Sequence, residues 1–256
     1  MALPAFDCCP QSPGSNTVLA LLFGGISLLY ATVGQAGGTA FLALMAFAAF
    51  APNEMRPTAL ALNVVAAAYS TWAFNRKRVV DWQKLKPLLL ASLPGAFIGG
   101  LIVLDEHLYK ATTGIVLLLA GATMIVRRER IDEGDQETPV WGACLTGGAV
   151  GLISGLTGVG GGVFLAPILI ALRWASPKQT AALSAPFILA NSAVGLIAVL
   201  YAGQLPSPHL VLYTAGALGG AIAGTAIGLK WFSQATTRYV LAAILLAAGV
   251  QLLVFR

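Results

Sequence analysis

Residues 138–172 read TPVWGACLTGGAVGLISGLTGVGGGVFLAPILIAL and contain no Asp, Glu, Lys or Arg. A helix needs roughly 20 apolar residues, each rising 1.5 Å, to cross about 30 Å of hydrocarbon. The stretch is long enough for a span, but a glycine run over 157–162 interrupts it. Glycine costs about 1 kcal/mol in a helix interior. The stretch therefore predicts a spanning helix, a break and a second, short helix.

The whole chain is similarly poor in charge. Of its 256 residues, 10% are charged and 57% are hydrophobic, whereas about 25% of the residues in a soluble domain are charged. Further charge-free stretches cover 8–53, 87–104, 111–126, 179–229 and 239–255. This composition predicts an all-α polytopic protein of the lipid bilayer and argues against a soluble enzyme. It also argues against nucleic-acid binding, since the basic residues lie between apolar runs rather than on one face.

Ten hydrophobic segments follow one another along the chain. We place them at about 17–33, 39–50, 58–74, 86–104, 111–126, 140–156, 163–172, 180–201, 209–229 and 237–255. The longest polar connection, RRERIDEGDQE, lies near the middle of the chain. The predicted organisation is an outer N-terminal tail (1–16), a first transmembrane repeat (17–126), a cytoplasmic linker (127–139) and a second transmembrane repeat (140–256).

Several landmarks recur in the two halves. The cluster GQAGG at 34–38 stands 124 residues before GVGGG at 158–162. The same offset of 124 separates ATT at 111–113 from ATT at 235–237, and Gly95 and Gly99 stand 125 residues before Gly220 and Gly224. Each half holds five segments, and an odd number makes the second half enter the membrane from the opposite side. The sequence therefore predicts an inverted 5+5 helix repeat.

The second segment of each half, 39–50 or 163–172, is too short to span the membrane comfortably. Each follows a glycine cluster, and irregular backbone survives inside a membrane only where it lines a cavity or is buried in protein. We therefore predict two broken or re-entrant helix pairs that meet near the membrane midplane.

The positions of Lys and Arg predict the orientation, because cytoplasmic loops carry the excess of both. With the 75–86 loop in the cytoplasm, twelve of the 15 basic residues lie inside and three, Arg56, Lys110 and Arg256, lie outside. Both termini are then expected outside the cell.

The glycine run over 157–162 is neither a phosphate-binding loop, since no Lys-Ser/Thr follows it, nor a dinucleotide fingerprint, since no strand precedes it. Two interpretations remain: a packing kink and an unwound substrate-binding segment. The second cluster at 34–38 favours binding.

Residues 158–162, followed by an apolar stretch ending in Pro167, resemble the hallmark of the TauE/SafE family of sulfite and sulfonate exporters. The cluster at 34–38 and the Ala-rich segments 59–69 and 181–195 fit the same family. The resemblance covers about 17–254. It implies a bacterial-type inner-membrane permease for small anions such as sulfite, sulfonates, sulfoacetate or related organosulfur and carboxylate compounds. The first cluster departs at Gln35-Ala36, where the repeat suggests a glycine.

The predicted binding site lies where the two short helices begin. Each helix N-terminus carries about half a positive charge and several unpaired N–H groups, so two converging ends suit an anion without a Lys or Arg. The expected ligands are Gln35, Gly37, Gly38 and Thr39 in the first half, and Thr157, Gly158, Gly160, Gly161 and Gly162 in the second. Asn63 and Asn191 are second-rank candidates, and buried serines such as Ser154 and Ser192 are expected to bond to their own helices.

These features predict a secondary transporter that exports small anions. The alternative is a non-transporting membrane scaffold or assembly factor. We expect no enzyme activity, cofactor or metal site, because no carboxylate pair or His cluster lies in a span and the two histidines, His107 and His209, fall in outer loops.

Overall fold

A computed structural model describes residues 13–126, 138–228, 246, 249–250 and 252–254. The described residues form nine α-helices and no strand. The helices are α1 (Pro13–Ala31), α2 (Gly38–Phe47), α3 (Pro52–Arg76), α4 (Trp82–Leu101), α5 (Glu106–Val126), α6 (Val140–Thr157), α7 (Gly162–Ala171), α8 (Pro177–Tyr201) and α9 (Leu210–Gly228). They correspond in order to the first nine predicted segments. The predicted tenth segment, 237–255, and the polar stretch 127–137 lie largely outside the described residues.

The two long helices begin earlier than predicted. Pro52 opens α3, six residues before the predicted start at 58, and Pro177 opens α8 behind a capping box formed by Ser176 and Gln179. Proline is favoured in the first helical turn because its missing N–H would have no partner there. The hydrophobic pattern alone misses these polar first turns.

The earlier start of α3 corrects the placement of Arg56. We expected it among the charges of an outer loop, but it lies in the first turns of α3 and is 1% exposed. An arginine is therefore buried inside the protein.

The short helices α2 and α7 match each other closely. Each has 10 residues, about 15 Å of helix. Each is followed at its C-terminal end by a residue with positive φ, Ala49 (φ 55°) or Arg173 (φ 58°), and these two residues stand 124 positions apart. The long helices α3 and α8 also have equal lengths, 25 residues each.

Helix packing crosses between the two halves of the chain. The most extensive contacts join α4 to α6 and α1 to α9. Glycines permit both: an added Cβ at Gly151 would overlap the carbonyl of Ser92, and one at Gly220 would overlap the carbonyl of Gly24. Small residues of this kind let helices approach closely where lipid supplies no hydrophobic driving force.

Polar and apolar side chains are distributed as expected in a lipid environment. Large apolar side chains face outward, for example Leu21 (71% exposed), Leu90 (73%) and Val211 (82%), whereas many polar side chains are buried. By length and composition, three of the described helical segments are apolar enough to cross a membrane: Val140–Thr157, Gln179–Tyr201 and Leu210–Ile227.

The packing of α9 on α1 yields a matched pair of variants. Gly220→Ala places a methyl group against the Gly24 carbonyl, whereas the neighbouring Gly219 has nothing within 4 Å of an added Cβ. We expect Gly220→Ala to lose about 1–3 kcal/mol of stability through overpacking. Gly219→Ala should be neutral or gain up to about 1 kcal/mol, because alanine is the better helix former. Thermal unfolding of the detergent-purified protein measures both, and equal midpoints would contradict the assigned interface.

Candidate functional site

Two interruptions of the helical backbone lie at the predicted positions. The first separates α1 from α2, and the second separates α6 from α7. The residue before each short helix has a left-handed backbone, Gly37 with φ 110° and Gly161 with φ 79°, which a side chain would disfavour. A left-handed residue followed by a helical one turns successive N–H groups toward one side and forms a concave anion-binding nest. Neither helix start has a side-chain cap.

The two interruptions touch each other. An added Cβ at Gly38, the first residue of α2, would overlap the carbonyl oxygen of Val159 in the second interruption. The beginning of one short helix therefore packs against the backbone that leads into the other. We call this contact, formed by 34–39 and 157–163, the junction.

Asn63 on α3 bridges the junction. Its Nδ2 donates to the carbonyls of Gly158 (3.4 Å) and Val159 (3.3 Å), and the same amide lies against Gly38. Its Oδ1 is buried and has no hydrogen-bond partner. Ser192 reaches the same region, because its Oγ would lie 2.9 Å from an added Cβ at Gly160.

Other side chains satisfy the carbonyls at the end of α6. The Tyr109 hydroxyl donates to the Thr157 carbonyl (3.1 Å), and Arg56 Nε donates to the Gly155 carbonyl (2.8 Å). Together with Asn63, these donors occupy the acceptor side of the second interruption. At the starts of α2 and α7 the N-cap residues are Gly37 and Gly161, which have no side chain to cap the first N–H groups.

All eleven predicted site residues are buried, but they differ in what they contact. Thr39 shares a 2.8 Å hydrogen bond with Tyr30, and Thr157 Oγ1 donates to the carbonyl of Ile153 in its own helix. Asn191 likewise donates to Phe187 O (2.9 Å) within α8. The structure therefore brings Asn63 to the junction by direct contact and shows no such contact for Asn191. Gln35 Oε1 is buried without a partner.

The sequence interpretation missed several residues near the junction. Ser184 bonds to Thr180 O as expected for a membrane serine, but Ser154 and Ser192 do not back-bond, and their hydroxyls are buried without a partner. Arg56 was missed because a single cation between two prolines looks like part of a connection. Pro52, a favoured first residue of a helix, is the signal that would have placed it inside α3.

Ala36, where the repeat suggests a glycine, also differs from its equivalent in backbone conformation. Its equivalent at the same offset, Gly160, has φ 83°, whereas Ala36 is not among the described residues with positive φ. The two interruptions therefore share left-handed glycines at 34/158 and 37/161 but differ at 36/160. The second interruption is the more extensively unwound.

The electrostatics of the described interior favour negative charge. Arg56 is the one charged side chain that is buried there, and no buried carboxylate accompanies it. Two uncapped helix starts add partial positive charge at the junction.

An apolar exterior, a polar centre and paired helix interruptions are typical of polytopic membrane transporters. Comparison with known proteins agrees. The model of the sulfite exporter TauE/SafE family matches residues 18–252, and the chain belongs to this family. It is thus an integral membrane protein of a transporter family.

Curated relatives carry corresponding names. A probable membrane transporter protein of Sinorhizobium fredii is 36% identical over 92% of this chain and 97% of its own. One of Bacillus subtilis is 23% identical over 92% of this chain and 95% of its own. One of Methanocaldococcus jannaschii is 28% identical over 57% of this chain and 55% of its own. No solved structure matches the chain.

The junction can be tested at Gly161. A side chain there would take a left-handed backbone and press on Val150 Cγ1 (3.0 Å) and Phe187 Cε1 (3.1 Å). We expect Gly161→Val to abolish anion-dependent thermal stabilisation and flux, because the branched side chain fills and distorts the nest. Gly203→Val is the matched control, since Gly203 has φ 82° and open space around an added Cβ.

The control variant Gly203→Val introduces the same kind of backbone strain, of order 1–3 kcal/mol, at a position away from the junction. It should keep anion binding despite a lower unfolding temperature. Wild-type anion binding and flux in a folded Gly161→Val protein would show that the glycine run is only a packing kink.

Proposed function

We propose that the protein is a secondary transporter that exports a small anion of the sulfite, sulfonate or related organosulfur and carboxylate class, and that the anion binds at the junction. One observation carries this proposal. Side chains occupy the carbonyls of the second interruption, whereas the N–H groups at the two helix starts have no side-chain caps. A site whose backbone N–H groups are uncapped and whose backbone carbonyls are already bonded favours an anion.

The proposed ligands are the backbone N–H groups of the two nests, with polar side chains beside them. The first nest contributes Gly37, Gly38 and Thr39, and the second contributes Gly161, Gly162 and Val163. Gln35 and Asn63 stand next to these groups, and both have a buried oxygen without a partner. Each amide also carries N–H donors that can turn toward an anion. Asn191 also has a buried oxygen without a partner, but it ranks below Asn63 because its amide bonds within α8, whereas the Asn63 amide bonds to the second interruption.

An inverted 5+5 repeat is part of the proposal. It is supported by the equal lengths of α2 and α7 and of α3 and α8, and by the left-handed residues 124 positions apart. The packing is consistent with it: exchanging the halves turns the α1–α9 contact into the α6–α4 contact and the α2–α3 contact into α7–α8. Alternating access would then move equivalent elements about a fixed central site.

The scaffold alternative lacks a comparable observation. A scaffold needs close helix packing, which the glycines on α4, α6 and α9 supply, but it has no use for two unwound segments in contact. Membership of a transporter family also favours transport.

The proposal predicts that the membrane potential drives export. No carboxylate is buried in the described residues to carry a coupled proton, and an inside-negative potential drives an anion outward by about 2.3 kcal/mol per charge per 100 mV. Vesicles loaded with sulfite and given such a potential should release it faster than vesicles at zero potential. Gly161→Val vesicles serve as the control. A sulfite flux that is independent of the membrane potential and requires a sodium gradient would refute this mechanism.

The proposed orientation places both termini outside the inner membrane. Asp105 and Leu205 lie in exposed loops assigned to the outside, and Lys77 lies in an exposed loop assigned to the cytoplasm. With the native cysteines replaced, a single cysteine at 105 or 205 should react with an impermeant maleimide added to intact cells. One at 77 should react only after the cells are opened. The reverse pattern would invert the topology.

A further inference from the structure

Arg56 stands out as a buried charge without an opposite charge. Its guanidinium donates to four backbone carbonyls, those of Gly99, Gly100, Ile102 and Gly155. In the described part of the chain it has no carboxylate partner. Burying an arginine in a membrane protein is costly, and such residues usually mark a functional region.

The four carbonyls belong to the C-terminal ends of two helices. Gly99, Gly100 and Ile102 lie at the end of α4, and Gly155 lies in the last turn of α6. The C-terminal end of a helix carries about half a negative charge. Without Arg56, the partial negative charges at the ends of α4 and α6 would lie unneutralised beside the second interruption.

Arg56 is also close to the second interruption. Its backbone carbonyl and Cγ would lie 3.1 and 3.2 Å from an added Cβ at Gly158. Its guanidinium bonds to Gly155, three residues before Gly158, which is about one helical turn. The guanidinium is therefore close enough to the second interruption for its charge to act on an anion bound there.

We propose that Arg56 is the specificity-determining charge of the junction: it neutralises the C-terminal ends of α4 and α6 and thereby allows the second interruption to hold an anion. This inference rests on the proposed function, because it assumes an anion at the junction. It makes Arg56 more than a structural cap, since a cap would matter equally for every ligand.

Ligand charge separates the two roles. Removing a fixed positive charge weakens a dianion more than a monoanion, by about tenfold per ligand charge for charges roughly 10 Å apart at an effective dielectric constant near 20. The probes are sulfite at alkaline pH, where it is a dianion, and methanesulfonate, a monoanion of similar shape. Dissociation constants are measured by calorimetry on the full-length protein in detergent.

Three proteins are compared. The wild type should bind sulfite more tightly than methanesulfonate. Arg56→Gln should lose about 100-fold in affinity for sulfite and about tenfold for methanesulfonate, so the preference falls by about tenfold. Arg56→Lys keeps the charge but not the planar fork of donors, so it should keep the preference even if its unfolding temperature falls. Arg76→Gln, which removes an exposed cation on α3, is the control and should leave both affinities unchanged.

Several results would overturn the inference. Equal losses for both ligands in Arg56→Gln, with the preference intact, would make Arg56 a structural cap only. Should Arg56→Gln fail to fold, a wild-type protein that binds methanesulfonate as tightly as sulfite would overturn the inference without any variant. A folded wild-type protein that binds neither anion would instead refute the proposed function, and the role of Arg56 with it.

Discussion

Inside a bilayer, every backbone polar group must find a partner within the protein, and this constraint governs the centre of the structure. Breaking two helices frees N–H and C=O groups where water cannot reach them. The freed carbonyls at the end of α6 are taken by Asn63 and Arg56 of α3 and by Tyr109 of α5. The donors at the two helix starts receive no side-chain cap. The imbalance between bonded backbone carbonyls and uncapped backbone N–H groups gives the junction its chemical character.

The frame around the junction depends on close backbone contact. Gly151 of α6 lies against the α4 backbone, and Gly220 of α9 lies against the α1 backbone. Each pair joins one helix from the first half of the chain to one from the second. The junction is also formed by both halves, because Gly38 from the first half lies against Val159 from the second. Neither half can build the junction alone, which is why an interleaved packing is needed to position it.

The sequence predicts the order of the helices and both interruptions, because charge-free runs and glycine clusters are local signals. It does not predict the phase of a helix. Asn63 and Asn191 look equivalent, each lying in the long helix that follows a short one, yet position 63 corresponds to 188 at the 125-residue offset that relates α3 to α8. Successive helical residues point about 100° apart, so Asn63 reaches the junction, whereas Asn191 bonds within α8. Only tertiary packing reveals this difference.

Arg56 illustrates a second limit. Its partners are backbone carbonyls of residues 43 to 99 positions away in the chain. Because every residue has a backbone carbonyl, no pattern of side chains in the sequence predicts these hydrogen bonds. The hydrogen bonding of the buried serines could not be predicted for a related reason. Whether Ser154 or Ser192 bonds to its own helix depends on what packs beside it, and the sequence around each is simply apolar.

The hydrogen bonds at the junction differ in length, which bears on the proposed transport cycle. Every predicted ligand is buried, so the proposed anion would reach the junction through a rearrangement of the side chains or helices around it. The hydrogen bonds of Asn63, at 3.3 and 3.4 Å, are longer than the usual range of about 2.7–3.2 Å. Those from Arg56 Nε and Tyr109, at 2.8 and 3.1 Å, lie within it. The glycine contacts of α4 with α6 and α1 with α9 cannot slide without backbone collision. Arg56, on the same helix as Asn63, keeps its shorter bond to Gly155, so in the proposed mechanism only the Asn63 amide moves and exchanges the two carbonyls for the arriving anion.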